Sequence, residues 1–448
     1  MLFTFNGVRP EEIEFNGNWL ERVKCNGVTV WEKTNTDIDK PLKITATDGD
    51  IKIKFYDNNN TVIPDIWYSK NGGTWVQWTY DEALQAWPLI NLNNGEYVSF
   101  KGNNPNGFNH GLERYCSILI LNNSGDSEHP WGIASASGNI MSLIDNGACT
   151  TLTIPCDGCF CSLFSFAEIA GDTTQHGLRT APILPATNLT PYCYSSMFSG
   201  HNVLTTPPTF YFTDDIAPRY CFFRMFYKCT SLLAVPNLHA HTMSDNCYGQ
   251  MFYNCSSLTK IPQTLLPATT LADSCYQYMF AGCTSLLNVP NLPATALANS
   301  CYQGMFQNCK SLTSLPIGLL ESKNIPGYAY EGMFENCTSL VNVPDSLLPA
   351  TTLSDYCYSR MFYNCVSLTT APELPATTLV NRCYSEMFRR ASTLNYVKCL
   401  ATSHKNDYDT YYWLSGVAQL GTFVKKSGST IWSTGADGIP SGWTVQEE

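Results

Sequence analysis

The residues that come closest to a chemical site are cysteines. Cys156-x-x-Cys159-x-Cys161, with Cys149 nearby, has a spacing that suits zinc. Cys159 also opens a recurring pattern that needs no metal to explain it. His239 and His241 alternate along one segment without a third ligand in the pattern. Asp48, Asp50 and Asp57-Asn58-Asn59-Asn60 are oxygen-rich but lack the ordered spacing and glycine of a calcium loop, so solvated turns are the simpler reading. The sequence has no phosphate-binding loop, no H-E-x-x-H helix and no G-x-S-x-G elbow. The expectation is a non-enzymatic chain with no cofactor and no metal.

A second set of residues points to binding. Tyr227, Tyr253, Tyr278 and Tyr363 stand beside Arg224 and Arg360 at variable, outward positions of a repeat, with Arg389 and Arg390 further on. Tyr and Arg are favoured at binding hot spots. On another segment of the repeat the outward residues are small and polar: Lys260, Asn288, Ser314, Asn342 and Thr370. Such a surface suits a glycan or a flat protein partner.

The repeat positions all of these. Its fullest form is C-Y-x-x-M-F-x-N-C-x-S-L-x-x-x-P-x-L-P-A-T-x-L. The Met-Phe step falls at Met197, Met225, Met251, Met279, Met305, Met333, Met361 and Met387, after a Leu-Phe version at Leu163. The first spacing is 34 residues and the rest are 26 or 28. That period marks a stacked-repeat solenoid, which offers an extended surface rather than a pocket.

Within one repeat, Ser244 and Asp245 read as helix caps, and Cys247, Met251 and Cys255 fall at i, i+4 and i+8. Asn254 stands where a left-handed stop residue belongs, as do Gly200, Gly282, Asn308, Asn336 and Asn364. The pattern therefore predicts a helix of two turns, then an inward Leu, a brief strand ended by Pro, and a Leu-Pro-Ala-Thr return arm.

Twenty cysteines in 448 residues suggest a disulfide framework, but their positions argue otherwise. Eight occupy one repeat column and six another, which a stack of buried thiols explains without any bond. Free thiols fit assembly in a reducing compartment. A net charge of −11 argues against nucleic acid or an anionic membrane as the main partner. No apolar run approaches the length of a membrane helix, and the start lacks the features of a signal peptide.

The phrase Met-Phe-x-x-Cys-x-Ser-Leu-Thr-x-x-Pro resembles the BspA-like leucine-rich repeats of bacterial surface proteins. The resemblance implies adhesion or recognition and brings no catalytic residues. At the N-terminus, Asn6-Gly7, Asn16-Gly17 and Asn26-Gly27 recur every ten residues between alternating stretches, a hairpin signal. Val23 to Lys33, with Asn26-Gly27-Val28-Thr29-Val30-Trp31, resembles short segments of bacteriophage tail and other virion proteins, which implies a docking module.

The expected architecture is mixed β/α: a leucine-rich-repeat-like solenoid of about nine repeats, preceded by β-hairpins and a β-sandwich-like domain. Its parts are a hairpin docking segment (1–36), a β-sandwich-like domain (37–148) with dense Trp67, Tyr68, Trp75, Trp78 and Trp87, the solenoid (149–394) and a C-terminal cap (395–448). The expected role is a surface-exposed bacteriophage virion protein, assembled in the bacterial cytoplasm. Its partners would be other virion proteins, through the N-terminal segment, and a host-surface glycan or protein. No nucleic acid and no membrane insertion are expected, and the chain would be a homo-oligomer within an assembly. The alternative is a bacterial cell-surface or secreted adhesin.

Overall fold

The computed structural model describes residues 37–57, 64–84, 86–109, 116–123, 130–166, 174–212, 215–405 and 408–448, together with three N-terminal strands. Asn6-Gly7, the glycines of the other two Asn-Gly pairs, and Asn58-Asn59-Asn60 lie outside the described residues. The three strands are β1 (Glu12–Asn16), β2 (Trp19–Cys25) and β3 (Val28–Glu32). They form an antiparallel meander in which Asn16 faces Trp19 and Cys25 faces Val28. Two residues separate the strands at each end, the spacing of tight hairpins.

The next region is all β. It contains β4 (Leu42–Ala46), β5 (Ile51–Asp57), β6 (Trp67–Lys70), β7 (Val76–Gln77), β8 (Ile90–Leu92), β9 (Tyr97–Lys101), β10 (Cys116–Asn122) and β11 (Ile133–Ser137). Period-two alternation places Ile51, Ile53 and Phe55 inside, while Lys52 and Lys54 face outward. Phe55 gathers Trp87 and Trp78, with ring centroids 4.5 and 5.7 Å away, so these two tryptophans belong to the core. Trp67, Tyr68 and Trp75 are half-buried.

The expected self-contained β-sandwich does not form. One sheet has the order β10-β5-β8. The other runs through β11-β4-β9-β6-β7 and gains β12 (Gly177–Leu178) from the solenoid, parallel to β11. Parallel bridges Pro41↔Asn139 and Asn139↔Ile183 extend the same junction. The edge of β11 thus meets its hydrogen-bonding demand by pairing with the solenoid wall, and the two regions share one core.

The solenoid itself corrects the mixed β/α expectation. Among the described residues there is no α-helix, only two short 3-10 turns at Ile140–Leu143 and Asp345–Leu347. The segment read as a helix is a ribbon of consecutive tight turns, here called a coil. The repeats give coils 1 to 9 at 158–166, 192–200, 220–228, 246–254, 274–282, 300–308, 328–336, 356–364 and 382–390.

Coil 3 shows how the ribbon works. The N–H groups of Cys221, Phe223, Met225 and Tyr227 donate three residues back, to Pro218, Tyr220, Phe222 and Arg224. The alternate N–H groups, of Tyr220, Phe222, Arg224, Phe226 and Lys228, donate to Asp245, Cys247, Gly249, Met251 and Tyr253 of coil 4. Half of the amides close the turns and half bind the next coil. An α-helix would use every amide internally and leave none for stacking.

This geometry requires a left-handed residue at every fourth position. In coil 3 these are Tyr220, Arg224 and Lys228, with φ of 55, 55 and 58°. In coil 4 they are Asn246, Gln250 and Asn254. The stop positions Gly200, Asn254, Gly282, Asn308, Asn336 and Asn364 do have positive φ, as their residue types suggest, but they continue a ribbon rather than end a helix. A left-handed non-glycine residue costs roughly 1–2 kcal/mol. Five inter-coil hydrogen bonds at roughly 1 kcal/mol net each, plus burial of one face, offset it.

An exact four-residue period brings identical residues into register. Tyr248, Tyr276, Tyr302, Tyr330, Tyr358 and Tyr384 stack with centroids 5.7–6.1 Å apart. Phe226, Phe252, Phe280, Phe306, Phe334, Phe362 and Phe388 stack at 5.4–5.8 Å. The Met and Leu columns are fully buried between them. The brief strand expected after Leu reduces to single bridges such as Ser314↔Asn342, and the return arms pair through bridges such as Thr242↔Thr270 and Thr270↔Ala296.

Both ends of the ladder are closed. Asn109, fully buried, donates its backbone N–H to Cys159 and its side-chain amide to the carbonyl of Cys161; Ile118 donates to Leu163. These acceptors belong to coil 1, which has no coil before it. At the other end, Tyr384, Glu386, Phe388 and Arg390 donate to Asp409, Tyr411, Trp413 and Ser415. Residues 408–416 therefore form a tenth coil without any repeat letters. Trp413 extends the Tyr column and Trp432 stacks on it, 5.4 Å away.

Candidate binding face

The outward residues of the coils make one continuous turn face. It lies along two left-handed columns and the positions beside them. Side chains one coil apart stand in line, so pairs 26 or 28 residues apart touch. Tyr227 stacks on Tyr253, with centroids 5.0 Å apart and planes at 10°. Arg224 lies over Tyr227 (5.2 Å) and Phe223 (5.0 Å), and its Nε donates to Gln250. Three of the sequence candidates, Arg224, Tyr227 and Tyr253, are thus one cluster.

Arg360 and Tyr363 form a second cluster. The Arg360 guanidinium lies 4.3 Å over Tyr363 and forks onto both carboxylate oxygens of Glu335, at 2.6 and 3.2 Å, while reaching Glu386 at 2.8 Å. Hydrogen bonding from Glu335 raises its pKa further. Arg390 approaches Tyr363 from the next coil and Arg389 pairs with Glu386.

Tyr278 stands between the clusters. Its ring covers Gly304, where any Cβ would meet ring atoms about 2.1 Å away. Burial raises its pKa, and the carboxylates of Glu331 and Glu335 add to this. Glu331 is itself shifted upward by burial and receives the amide of Gln303 at 2.6 Å.

Sequence reasoning missed part of this face. Tyr192 stacks on Tyr220 at 4.9 Å and Tyr328 on Tyr356 at 4.7 Å. Arg382 sits among Tyr356, Tyr408 and Tyr411, at 5.6, 5.4 and 5.8 Å. The first four tyrosines occupy the left-handed position that opens each coil, equivalent to Asn246 and one residue past the Ser244 and Asp245 that the helix reading took as caps. Tyr408 and Tyr411 belong to the coil that lacks repeat letters. On the opposite arm Asn288 is structural, because its side chain bonds both the N–H and the carbonyl of Ile261.

The cysteines are structural too. None of the nineteen whose side chains are described forms a disulfide. The second column donates S–H to the Phe carbonyl of the preceding coil, at 3.1–3.4 Å for Cys229, Cys255, Cys283, Cys309, Cys337 and Cys365. Burial pushes Cys193, Cys247, Cys283, Cys301, Cys337 and Cys357 up to about 12. Among the described residues no group of three or more His, Cys, Asp or Glu comes together to hold a metal. In the candidate zinc cluster Cys159 is wholly buried and accepts the N–H of Phe108, while Cys156 donates to the carbonyl of Asn109. His239 bonds the carbonyl of Phe212, and His241 pairs with Asp215.

Residues 220–340 and 321–413 match the family described as BspA type leucine rich repeat region, in six copies. The repeats within 220–413 are similar to BspA-type leucine-rich repeats. No match was found among curated proteins or among solved structures. In these repeats the leucine that gives the name is a fully buried column (Leu232, Leu258, Leu286, Leu312, Leu340 and Leu368). The letters that vary on the turn face lie outside that framework.

Proposed function

We propose that this chain is a non-catalytic recognition protein whose BspA-type solenoid binds a host-surface glycan or protein through its turn face. The supporting observation is the run of stacked tyrosines with arginines held on ring faces, Arg224 on Tyr227 above all. Such rings are rigid, amphipathic and already ordered, so little conformational entropy is lost on binding. The reading extends to a surface-exposed structural protein of a bacteriophage virion, assembled in the bacterial cytoplasm and docked to other virion proteins through the segment that contains β1–β3. Eighteen buried thiols that form no disulfide support assembly in a reducing compartment. Mass spectrometry of purified particles tests this, with the chain expected as a stoichiometric component in several copies. Its absence from particles overturns the virion role.

The family match favours a second reading, a bacterial cell-surface adhesin built on the same repeats. Surface proteolysis of intact bacteria that removes the chain would support it over the first. Incubation with host polysaccharide is expected to leave its viscosity unchanged under either reading.

A further inference from the structure

Coil 3 differs from its neighbours. Its outward positions, with Arg219 just before it, read Arg219, Tyr220, Phe223, Arg224, Tyr227 and Lys228, three cations and three rings. The equivalent positions of coil 2 hold Pro191, Tyr192, Ser195, Ser196, Ser199 and Gly200, and those of coil 4 hold Asp245, Asn246, Gly249, Gln250, Tyr253 and Asn254. Phe223, Arg224 and Lys228 therefore rise beside small residues of coil 2, while Tyr220 and Tyr227 stack on Tyr192 and Tyr253. The cations rest on rings: Arg219 on Tyr220 at 5.2 Å, Arg224 on Phe223 and Tyr227, and Lys228 on Tyr227 at 5.5 Å. Among the described residues neither Arg219 nor Arg224 is paired with a carboxylate, whereas Arg360 has two and Arg389 has one. In a chain of net charge −11, Arg219 and Arg224 are positive charges held in place by aromatic contact, and no carboxylate among the described residues pairs with either.

We infer that coil 3 is the site for an acidic glycan, in which sugar carboxylates pair with Arg219 and Arg224 while sugar faces lie on Tyr220, Tyr227 and Tyr253. Guanidinium groups match carboxylates bidentately, and aromatic rings match the apolar face of a pyranose. This rests on the reading of the turn face as a binding surface and specifies its ligand.

The test uses the full chain with an oligomer of uronic acid, a neutral oligosaccharide of equal length, and polyglutamate. Binding is expected for the uronate alone and to weaken as salt screens the charges. Arg219→Gln with Arg224→Gln is expected to lose about tenfold or more in affinity. Lys54→Gln, on the outward side of β5 and away from the turn face, is expected to change nothing. Equal binding of neutral sugar, equal binding of polyglutamate, or an unaffected double variant overturns the inference. If the chain binds host cells but no uronate, only this inference fails; if it binds neither, the turn-face reading fails with it.

Discussion

The Nε2 of His201 lies 2.6 Å from the carbonyl oxygen of Phe164, where coils 3 to 8 offer a cysteine thiol and coil 9 has Ala391. Its Nδ1 accepts the N–H of Leu178 at 2.7 Å, which places the proton on Nε2 and keeps the ring neutral. Gly177 leaves the space, since a Cβ there would stand 2.5 Å from Nδ1. The exception to the cysteine column thus makes the same inter-coil bond and also anchors β12.

Burial lowers the His201 pKa from 6.5 to about 3. Between those values the unfolded chain binds a proton that the folded chain excludes. Its contribution is therefore complete above about pH 6.5 and falls away as the pH drops toward 3. Denaturant unfolding of the wild type and of His201→Ala across this window checks it. The variant is expected to be less stable at pH 7 by about 2–4 kcal/mol, from two orphaned buried groups, and to show a shallower loss with acid.

The hydroxyls of Tyr248 and Tyr276 are buried without a hydrogen-bond partner, and Phe222 already occupies the same column. An unsatisfied buried hydroxyl costs roughly 1–3 kcal/mol. Tyr248→Phe and Tyr276→Phe are therefore expected to leave the melting temperature unchanged or raise it by a few degrees. A clear fall in either variant would show that these hydroxyls are bonded after all.

Thiol accessibility gives a third check. Cys156 is the half-buried cysteine among the nineteen, and hydrogen bonding from Cys159 lowers its pKa, whereas burial holds the column thiols high. Native alkylation near pH 8, read by peptide mass spectrometry, is expected to label Cys156 well before any column cysteine. Reductant is expected to leave the melting curve where it is. A reductant-sensitive transition would mean that disulfides hold the coils together.

Asn109 terminates the ladder by binding Cys159 and Cys161 and accepting the N–H of Cys116. Asn109→Leu keeps the branched shape and removes the two side-chain contacts, to the carbonyl of Cys161 and from the N–H of Cys116. It is expected to cost about 3 kcal/mol or more and to raise amide exchange first in coil 1. Exchange that begins in the central coils would argue against this cap.

The repeat, its buried columns, the free thiols and the outward Tyr and Arg positions were legible in the sequence. Each rests on residue type at a fixed interval, which periodicity reads directly. The helix was misread because Cys247, Met251 and Cys255 fit both a 3.6-residue and an exact four-residue period. The deciding signal was the left-handed residue at every fourth position. Arg224, Gln250 and Tyr278 hid it, since none is a residue type that suggests positive φ. Coil 10 was not legible, because Trp413 joins the tyrosine stack by shape alone, from the place where the repeat has Met. Which candidates would cluster followed from register, as with Tyr227 on Tyr253. The aromatic support of Arg382 depended on Tyr408 and Tyr411, from outside the repeats.

The most direct test of turn-face recognition is the binding of the full chain to intact host bacteria, measured for the wild type and two variants. One variant carries Arg224→Gln, Tyr227→Ala and Tyr253→Ala on the turn face. The other carries Lys260→Ala, Ser314→Ala and Asn342→Ala on the opposite arm. The prediction is a loss of about tenfold or more for the first and wild-type binding for the second, with both folded. Equal binding by all three, or loss confined to the arm variant, would contradict it.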